Sequence, residues 1–223
     1  MADGMTTGRR ATILIGLVLA LVVSGSGVIR LAPPIPGVPP LVGREILWWG
    51  LAALILLYVL VVERRPLSSI GFRRPTWKTL AFGIGGAVLT LASVGLAVQF
   101  LIQRYHLTQN AEAMAQIVNL PLLYRVALVT RAAFAEEILF RGYGIERLQE
   151  LTGSRIVAGL VTLAVFTYAH LSFWGPTQLL FAGGAGLMLT VLYLWRRDLG
   201  ANILAHWLID AAGLLFVAAP PHH

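Results

Sequence analysis

Long apolar runs dominate the sequence, and their lengths constrain the fold more than any other feature. A helix needs roughly 20 mainly apolar residues to cross the hydrocarbon core of a bilayer, and seven runs come close to that length. They lie at about residues 11–29, 46–62, 79–101, 121–151, 156–171, 177–195 and 200–217. Hydrophobic residues make up 57% of the 223-residue chain and charged residues only 12%, whereas a soluble domain carries about 25% charged residues. We therefore predict an all-α, polytopic transmembrane helical bundle with about seven spans.

The arginines give this bundle a predicted orientation. The net charge is +7, and Lys78 is the only lysine. In a soluble protein this charge would suggest nucleic acid, but here the basic residues gather on one side of the spans, as the positive-inside rule describes. We therefore predict no nucleic-acid partner, a cytoplasmic N-terminus and an outer C-terminus. The cytoplasmic groups lie at residues 9–10, 64–78, 147–155 and 196–197, and the outer loops keep Arg30, Arg44 and Arg104.

Among the charged residues of the fourth run, Glu136, Glu137 and Arg141 lie where a membrane-spanning helix should carry only hydrocarbon. Each charge at the bilayer centre costs about 2.5–3.5 kcal/mol on insertion scales, so these side chains are expected to face the protein interior. Glu137 and Arg141 are four residues apart and can pair on one helix face. Glu136 points about 100° away from Glu137 and has no cation four residues later. The spacing predicts one paired and one available carboxylate, with a purely structural ion pair as the alternative.

Later apolar runs contain three further polar residues. His170 ends one run, with Phe166 one turn before it, and His206 and Asp210 are four residues apart on one helix face. A single histidine in a membrane helix is often a packing residue that hydrogen-bonds to a neighbouring helix. Together with the two glutamates, however, these residues come from spans four, five and seven. A common buried polar site explains the whole set most simply.

Two kinds of chemistry fit such a set. A carboxylate, two imidazoles and a second carboxylate could hold Zn²⁺, because a catalytic zinc site has three protein ligands and a water. Alternatively, Glu136 could act directly as the general base on a water, while the histidines orient the water and stabilise the oxyanion. Both routes lead to amide hydrolysis. The sequence has neither a His-Glu-x-x-His helix nor a Gly-x-Ser-x-Gly elbow.

The three motifs together resemble a known family. Glu136-Glu-x-x-x-Arg141, Phe166-x-x-x-His170 and His206-x-x-x-Asp210 are similar to the ordered motifs of the CPBP intramembrane proteases. That family includes the type II CAAX prenyl endopeptidases and the bacterial Abi proteins. The resemblance covers about residues 115–215. It implies a membrane-embedded catalytic core that hydrolyses peptide bonds of membrane-associated substrates.

The resemblance also implies a role for each motif residue. Glu136 would activate the water with His170 as its partner, and His206 and Asp210 would face the oxyanion, while Glu137, Arg141 and Phe166 would support the site. Asn is frequent in the family where this chain has Asp210. Because an ionised Asp cannot donate a hydrogen bond, Asp210 would have to be protonated or orient His206. We expect a metal-free, glutamate-dependent reaction with no cofactor, and zinc is the alternative.

Domain organisation follows from the same patterns. We predict a single integral membrane domain over residues 1–223, with three N-terminal spans in residues 1–110 and the catalytic core in residues 111–218. The polar segment 103–120 should be an outer connection with a short helix. The first run is too long for the apolar core of a typical signal peptide, so we predict an uncleaved span. Cysteine is absent, which excludes disulfides and thiolate metal sites.

The leading functional prediction is an intramembrane endopeptidase in a prokaryotic plasma membrane, with the lipid bilayer and a peptide or membrane-protein substrate as partners. A catalytically idle immunity or binding protein with the same fold is the first alternative, and the complete motif set argues against it. A transporter is the second, because buried Glu and His residues also form proton relays. The absence of paired broken helices in matching halves argues against transport.

Overall fold

The computed structural model describes residues 6–25 and 32–216. Within these ranges the chain forms eight α-helices, some with π-helical turns, and no strand. In chain order, α1 to α8 are Thr7–Gly25, Pro40–Val62, Trp77–Tyr105, Ala111–Val118, Leu122–Thr152, Arg155–Trp174, Gln178–Arg196 and Leu199–Leu214. A short 3-10 helix, Leu67–Ile70, lies between α2 and α3. The predicted all-α class is confirmed.

A helix occupies the place of each predicted span. Five of the described helices, α1, α2, α3, α6 and α7, are long and apolar enough to cross a membrane. The pair α4 and α5, bent by 114° at the short break between them, makes a sixth if it is one span, and α8 is a shorter apolar helix. The number seven therefore stays a prediction. The predicted span ends near Ile29 and Val217, together with Arg30 and the terminal pair His222–His223, lie outside the described residues.

Local sequence signals explain where the helices begin and end. Pro40 lies in the first turn of α2, where the missing N–H costs nothing, so this helix begins six residues before the predicted start. Gly153 ends α5 with a φ of +72°, a left-handed conformation that glycine adopts without a Cβ clash. Ser154 then caps α6 by accepting from the Val157 N–H. The predicted short helix is α4, capped by the Asn110 side chain.

The middle of α5 is a π-helical segment, Glu137–Ile145, in which all nine residues are buried. π-Helical turns are rare and occur frequently at functional sites. The segment lies at the centre of the main apolar core, where it contacts α1, α2 and α6. By contrast, large apolar side chains on the outer faces are exposed; Leu96 and Ile156 are each 70% exposed. That distribution suits contact with lipid.

The glycines of the third and sixth apolar runs predict close helix–helix approach, at Gly83, Gly85, Gly86 and Gly95 and at Gly183, Gly184 and Gly186. In α3 this packing is found at two of the four positions. A Cβ at Gly83 would lie 2.8 Å from the Leu204 side chain of α8, and a Cβ at Gly86 would lie 3.1 Å from Leu192. Gly85 and Gly95 have no such neighbour within 4 Å. The prediction was wrong for these two, because neither is on the face that meets α7 and α8.

The glycine run in α7 packs closely, as predicted. A Cβ would lie 2.5 Å from Val94 at Gly184, 2.9 Å from Phe166 at Gly186, and 3.4 Å from Thr167 at Gly183. The small residues therefore bring α7 close to α3 and α6. Membrane helices associate through this kind of backbone approach.

A group of ion pairs, called here the basic-end cluster, joins the ends of α1, α2, α5 and α7. Arg147 pairs with Glu63 at 2.6 Å and with Glu150 at 3.1 Å, and Tyr143 donates its hydroxyl to Glu63 at 2.8 Å. The remaining contacts are Arg9 and Arg65 to Glu150, and Arg197 and Tyr193 to Glu146. Arg147 and Glu63 are almost fully buried, so the cluster closes this end of the bundle.

Candidate active site

A cavity of about 520 Å³ lies among the helices at the other end. Its wall includes all four residues predicted to be catalytic, Glu136, His170, His206 and Asp210, and also Phe166. Binding sites for small ligands typically have volumes of roughly 300–1,000 Å³. The three motifs, which come from three different helices, therefore open into one space.

Behind the cavity wall, Glu137 is fully buried and holds three side chains. Its Oε1 accepts from Arg141 at 2.9 Å and from His206 Nδ1 at 2.9 Å. Its Oε2 accepts from Asn202 Nδ2 at 3.1 Å. The predicted Glu137–Arg141 pair is confirmed. A buried charge is tolerated when it is paired and its remaining lone pairs are hydrogen-bonded, and these contacts meet that requirement.

Phe166 is the aromatic surface on which the motif side chains pack. The Arg141 guanidinium lies 4.1 Å from the centre of its ring, within the range of a cation–π interaction. The His170 ring lies 4.6 Å from it and the His206 ring 6.3 Å from it. The side chain is 3% exposed. Phe166 therefore fixes the relative positions of one residue from each motif.

His206 has a carboxylate near each ring nitrogen. Nδ1 donates to Glu137 on the buried side, and Nε2 faces the cavity, 3.4 Å from Asp210 Oδ2 and 4.0 Å from Glu136 Oε2. Glu137 orients the ring, and its partners are therefore part of the site geometry. Asp210 lies close enough to Nε2 to orient His206, and this role stays a prediction.

The other histidine is oriented by its own helix. His170 Nδ1 lies 2.8 Å from the Phe166 carbonyl oxygen, an acceptor, so Nδ1 carries the proton. In a neutral imidazole, Nε2 is then unprotonated and can accept a hydrogen bond. That is the nitrogen a cavity water can approach.

Glu136 differs from its prediction in one respect. The sequence interpretation left it without a cation, because position 140 is Phe, but Arg131 Nη1 lies 3.6 Å from Glu136 Oε1. Arg131 is held from the other side by Glu45 of α2, which accepts from its Nε at 3.1 Å, and its guanidinium lies 5.4 Å from the Trp48 ring. The carboxylate is therefore positioned, and it is still partly exposed, 14%, to the cavity.

Sequence reasoning missed Asn202. Its amide donates to Glu137 and to the Leu189 carbonyl oxygen at 2.7 Å, and its side chain is fully buried. Its position was a usable signal: Asn202, His206 and Asp210 follow one another at four-residue intervals and so share a face of α8. Glu45 and Arg131 had no comparable signal, because they lie 86 residues apart.

The residues present do not form a metal-ligand set. Among the described residues, no group of three or more His, Cys, Asp or Glu side chains is arranged to hold a metal ion. No step of the reaction is therefore assigned to zinc.

Comparison with known proteins found one family model that matches the part of the chain with these motifs. Residues 118–212 match the family model described as type II CAAX prenyl endopeptidase Rce1-like. This part of the chain is similar to the Rce1-like family. The comparisons with curated proteins and with solved structures found no match. The Rce1-like segment contains all three motifs, whereas Glu45 and Trp48 of the cavity wall lie before it.

The family and the apolar helices together establish the broad character of the protein. It is an integral membrane protein with an Rce1-like, protease-type enzyme segment, and this confirms the resemblance predicted from the motifs. The family match and the apolar helices together indicate peptide substrates in a lipid bilayer.

Proposed function

We propose that the protein is an intramembrane endopeptidase that hydrolyses peptide bonds with a water activated by Glu136. The observation that carries the proposal is the common cavity. Side chains from the three motifs of the Rce1-like segment line one space of about 520 Å³. Three other polar side chains, Glu137, Arg141 and Asn202, lie behind the cavity wall. Their hydrogen bonds hold His206 in place.

Glu136 is the general base of the proposed reaction. It takes a proton from a water in the cavity, and the oxygen of that water attacks the carbonyl carbon of the scissile peptide bond. His170 Nε2 accepts the second hydrogen of the same water and so fixes the direction of the oxygen lone pair. Arg131, 3.6 Å from Glu136, holds the carboxylate in position for this step.

His206 stabilises the oxyanion that forms as the carbonyl π bond breaks. In the proposed reaction His206 is the imidazolium, which carries a proton on each ring nitrogen. Nδ1 donates to Glu137, and Nε2 faces the cavity and donates to the negative oxygen, while Asp210 and Glu137 hold the ring from both sides. When the C–N bond breaks, Glu136 returns its proton to the leaving amine. Asp210 acts through His206, so it needs no proton of its own.

The test is cleavage by the purified protein in lipid against a peptide library. Wild-type protein should cleave a subset of peptides, and Glu136→Gln should abolish cleavage, because an amide cannot take a proton from water. General-base catalysis typically contributes about 10²–10⁴-fold to rate, so a loss of that size is expected.

Glu112→Gln is the matched control. It makes the same chemical change on the exposed first turn of α4, outside the cavity wall. This variant should retain wild-type activity. The proposal fails if folded Glu136→Gln protein still cleaves at the wild-type rate, or if wild-type protein cleaves nothing in the library.

A further inference from the structure

The cavity lies entirely toward one end of the bundle, which the helix directions establish. Helices α2, α5 and α7 run in one direction, and α6 and α8 in the opposite one. In α2 the wall residues are Leu41 to Trp48, near its start, and in α6 they are Phe166 to Trp174, near its end. The same alternation holds for α7, which contributes Gln178 to Leu189, and for α8, which contributes His206 to Leu214. All five helices thus present the same end to the cavity.

The opposite end of the described bundle is closed. The π-helical segment Glu137–Ile145 is buried throughout, and beyond it the basic-end cluster ties α1, α2, α5 and α7 together. None of the charged residues of that cluster is part of the cavity wall. A peptide approaching from this end would have to break the buried Arg147–Glu63 pair before it reached Glu136.

The arginine distribution identifies the closed end. Residues 9–10, 64–78, 147–155 and 196–197 carry most of the positive charge outside the apolar spans, and all are next to the basic-end cluster in the chain. The positive-inside rule places such groups in the cytoplasm. The end of the bundle that contains the cavity then faces the other side of the membrane.

We propose that the substrate segment reaches Glu136 from the non-cytoplasmic side, and that the substrates are membrane-anchored polypeptides whose cleaved segment lies in or just outside the outer half of the bilayer. This inference rests on the proposed function. The outer part of the wall combines aromatic rings, Trp48, Tyr124 and Trp174, with the charged Arg44 and Glu45. Such a surface suits a mainly apolar extended segment. A tail confined to the cytoplasmic face would have to pass the buried segment Glu137–Ile145 and the basic-end cluster to reach the catalytic carboxylate.

The first part of the test measures sidedness without using activity. The chain has no cysteine, so single-cysteine variants need no background removal. Gln116→Cys places a thiol at an exposed position of the cavity wall, and Ser68→Cys places one at an exposed position near the basic-end cluster. In intact bacterial cells, a membrane-impermeant maleimide should label Gln116→Cys, whereas Ser68→Cys should label only after the cells are broken. The reverse pattern overturns the inference.

The second part measures cleavage. The library peptide that purified protein cleaves best is fused to a transmembrane tether helix. Two fusion proteins are compared, one with the peptide on the outer face of the membrane and one with it on the cytoplasmic face. Cleavage should occur only when the peptide is on the outer face, and Glu136→Gln should abolish it. Cleavage only on the cytoplasmic face, on both faces, or on neither overturns the inference. A failure of purified protein to cleave any peptide is a separate result, which contradicts the proposed function itself.

Discussion

Three carboxylates approach His206, and the distances separate their roles. Glu137 accepts from Nδ1 at 2.9 Å, whereas Asp210 and Glu136 lie 3.4 and 4.0 Å from Nε2. The shortest contact is on the buried side, away from the cavity, so Glu137 orients the ring. The contacts of Nε2 are longer, so Nε2 can donate to a substrate oxygen instead of to these two carboxylates.

Asp210→Asn should retain activity. Asn has the same shape, can still contact His206, and can donate to the oxyanion itself. We expect a change within about tenfold, small beside the roughly 10²–10⁴-fold contribution of a general base. Initial rates on the best library peptide measure it, with Asp210→Ala, which removes the contact, as the comparison. If Asn and Ala lose activity equally, orientation by residue 210 is not its function.

Arg141→Ala should lower the folded yield rather than only the rate. It removes the closest cation from a fully buried carboxylate, and breaking a buried pair in this way costs about 3–5 kcal/mol. It also removes the guanidinium from the Phe166 ring. The amount of monodisperse protein and its unfolding midpoint in detergent are the measurements.

Arg73→Ala is the control for that experiment, because Arg73 is an exposed loop residue. Adding Glu137→Gln to Arg141→Ala should recover part of the lost stability, since the buried side chain that has lost the Arg141 guanidinium is then neutral. An Arg141→Ala variant as stable as Arg73→Ala would contradict the structural role of the pair.

At the scale of elements, α8 is the helix on which the site depends most. It carries Asn202, His206 and Asp210, and it packs against α3 through the close approach of Gly83 to Leu204. Its position also depends on the hydrogen bonds to Glu137 in the π-helical segment of α5. A shift of α8 therefore displaces His206 relative to Glu136 even when no site residue changes.

Gly83→Ala should reduce both stability and activity. The new Cβ would lie 2.8 Å from the Leu204 side chain, and overpacking of this kind typically costs about 1–3 kcal/mol. Gly85→Ala is the matched control two residues away, with no neighbour within 4 Å. It should be neutral or stabilise by up to about 1 kcal/mol, because alanine favours helix. Thermal unfolding and peptide cleavage distinguish the two variants, and equal behaviour would contradict the packing role of Gly83.

The whole molecule separates two functions along its length. One end of the described bundle is closed by ion pairs that connect four helices, and the other holds the cavity with its catalytic motifs. Charged groups inside a membrane protein are costly, and most of the buried ones among the described residues belong to two compact sets. The basic-end set links helices, and the cavity set is arranged for chemistry.

Chelators should leave the activity of the whole protein unchanged. The proposed reaction uses Glu136 as base and His206 as donor, and no group of three or more potential ligands among the described residues is arranged for a metal ion. Cleavage rates before and after extended chelation, with zinc added back, test this expectation. The metal-free mechanism would be contradicted if active protein contained stoichiometric zinc, and if activity were lost when the zinc was removed and restored when it was added back.

The sequence by itself determined the features that depend on composition and short spacing. Apolar runs longer than 15 residues gave the all-α class, because a backbone in lipid must satisfy its hydrogen bonds within each helix. The Glu137–Arg141 pair followed from a four-residue interval on one helix face. The order of the motifs indicated the resemblance to the Rce1-like family. The apolar sequence around Glu136, Glu137 and Arg141 indicated that these charged residues face the protein interior.

Only the tertiary structure decided how these local features meet. Helix packing and side-chain rotamers decide three sets of contacts. These are the Glu45–Arg131–Glu136 contacts, the His206–Glu137 bond across 69 residues, and the packing of Arg141 and both histidines on the Phe166 ring. A helical pattern fixes which side chains share a face, but not which neighbouring helix that face contacts. The closed basic end and the cavity at the opposite end arise from that choice of neighbours, and this is why the route of the substrate could be argued only from the folded chain.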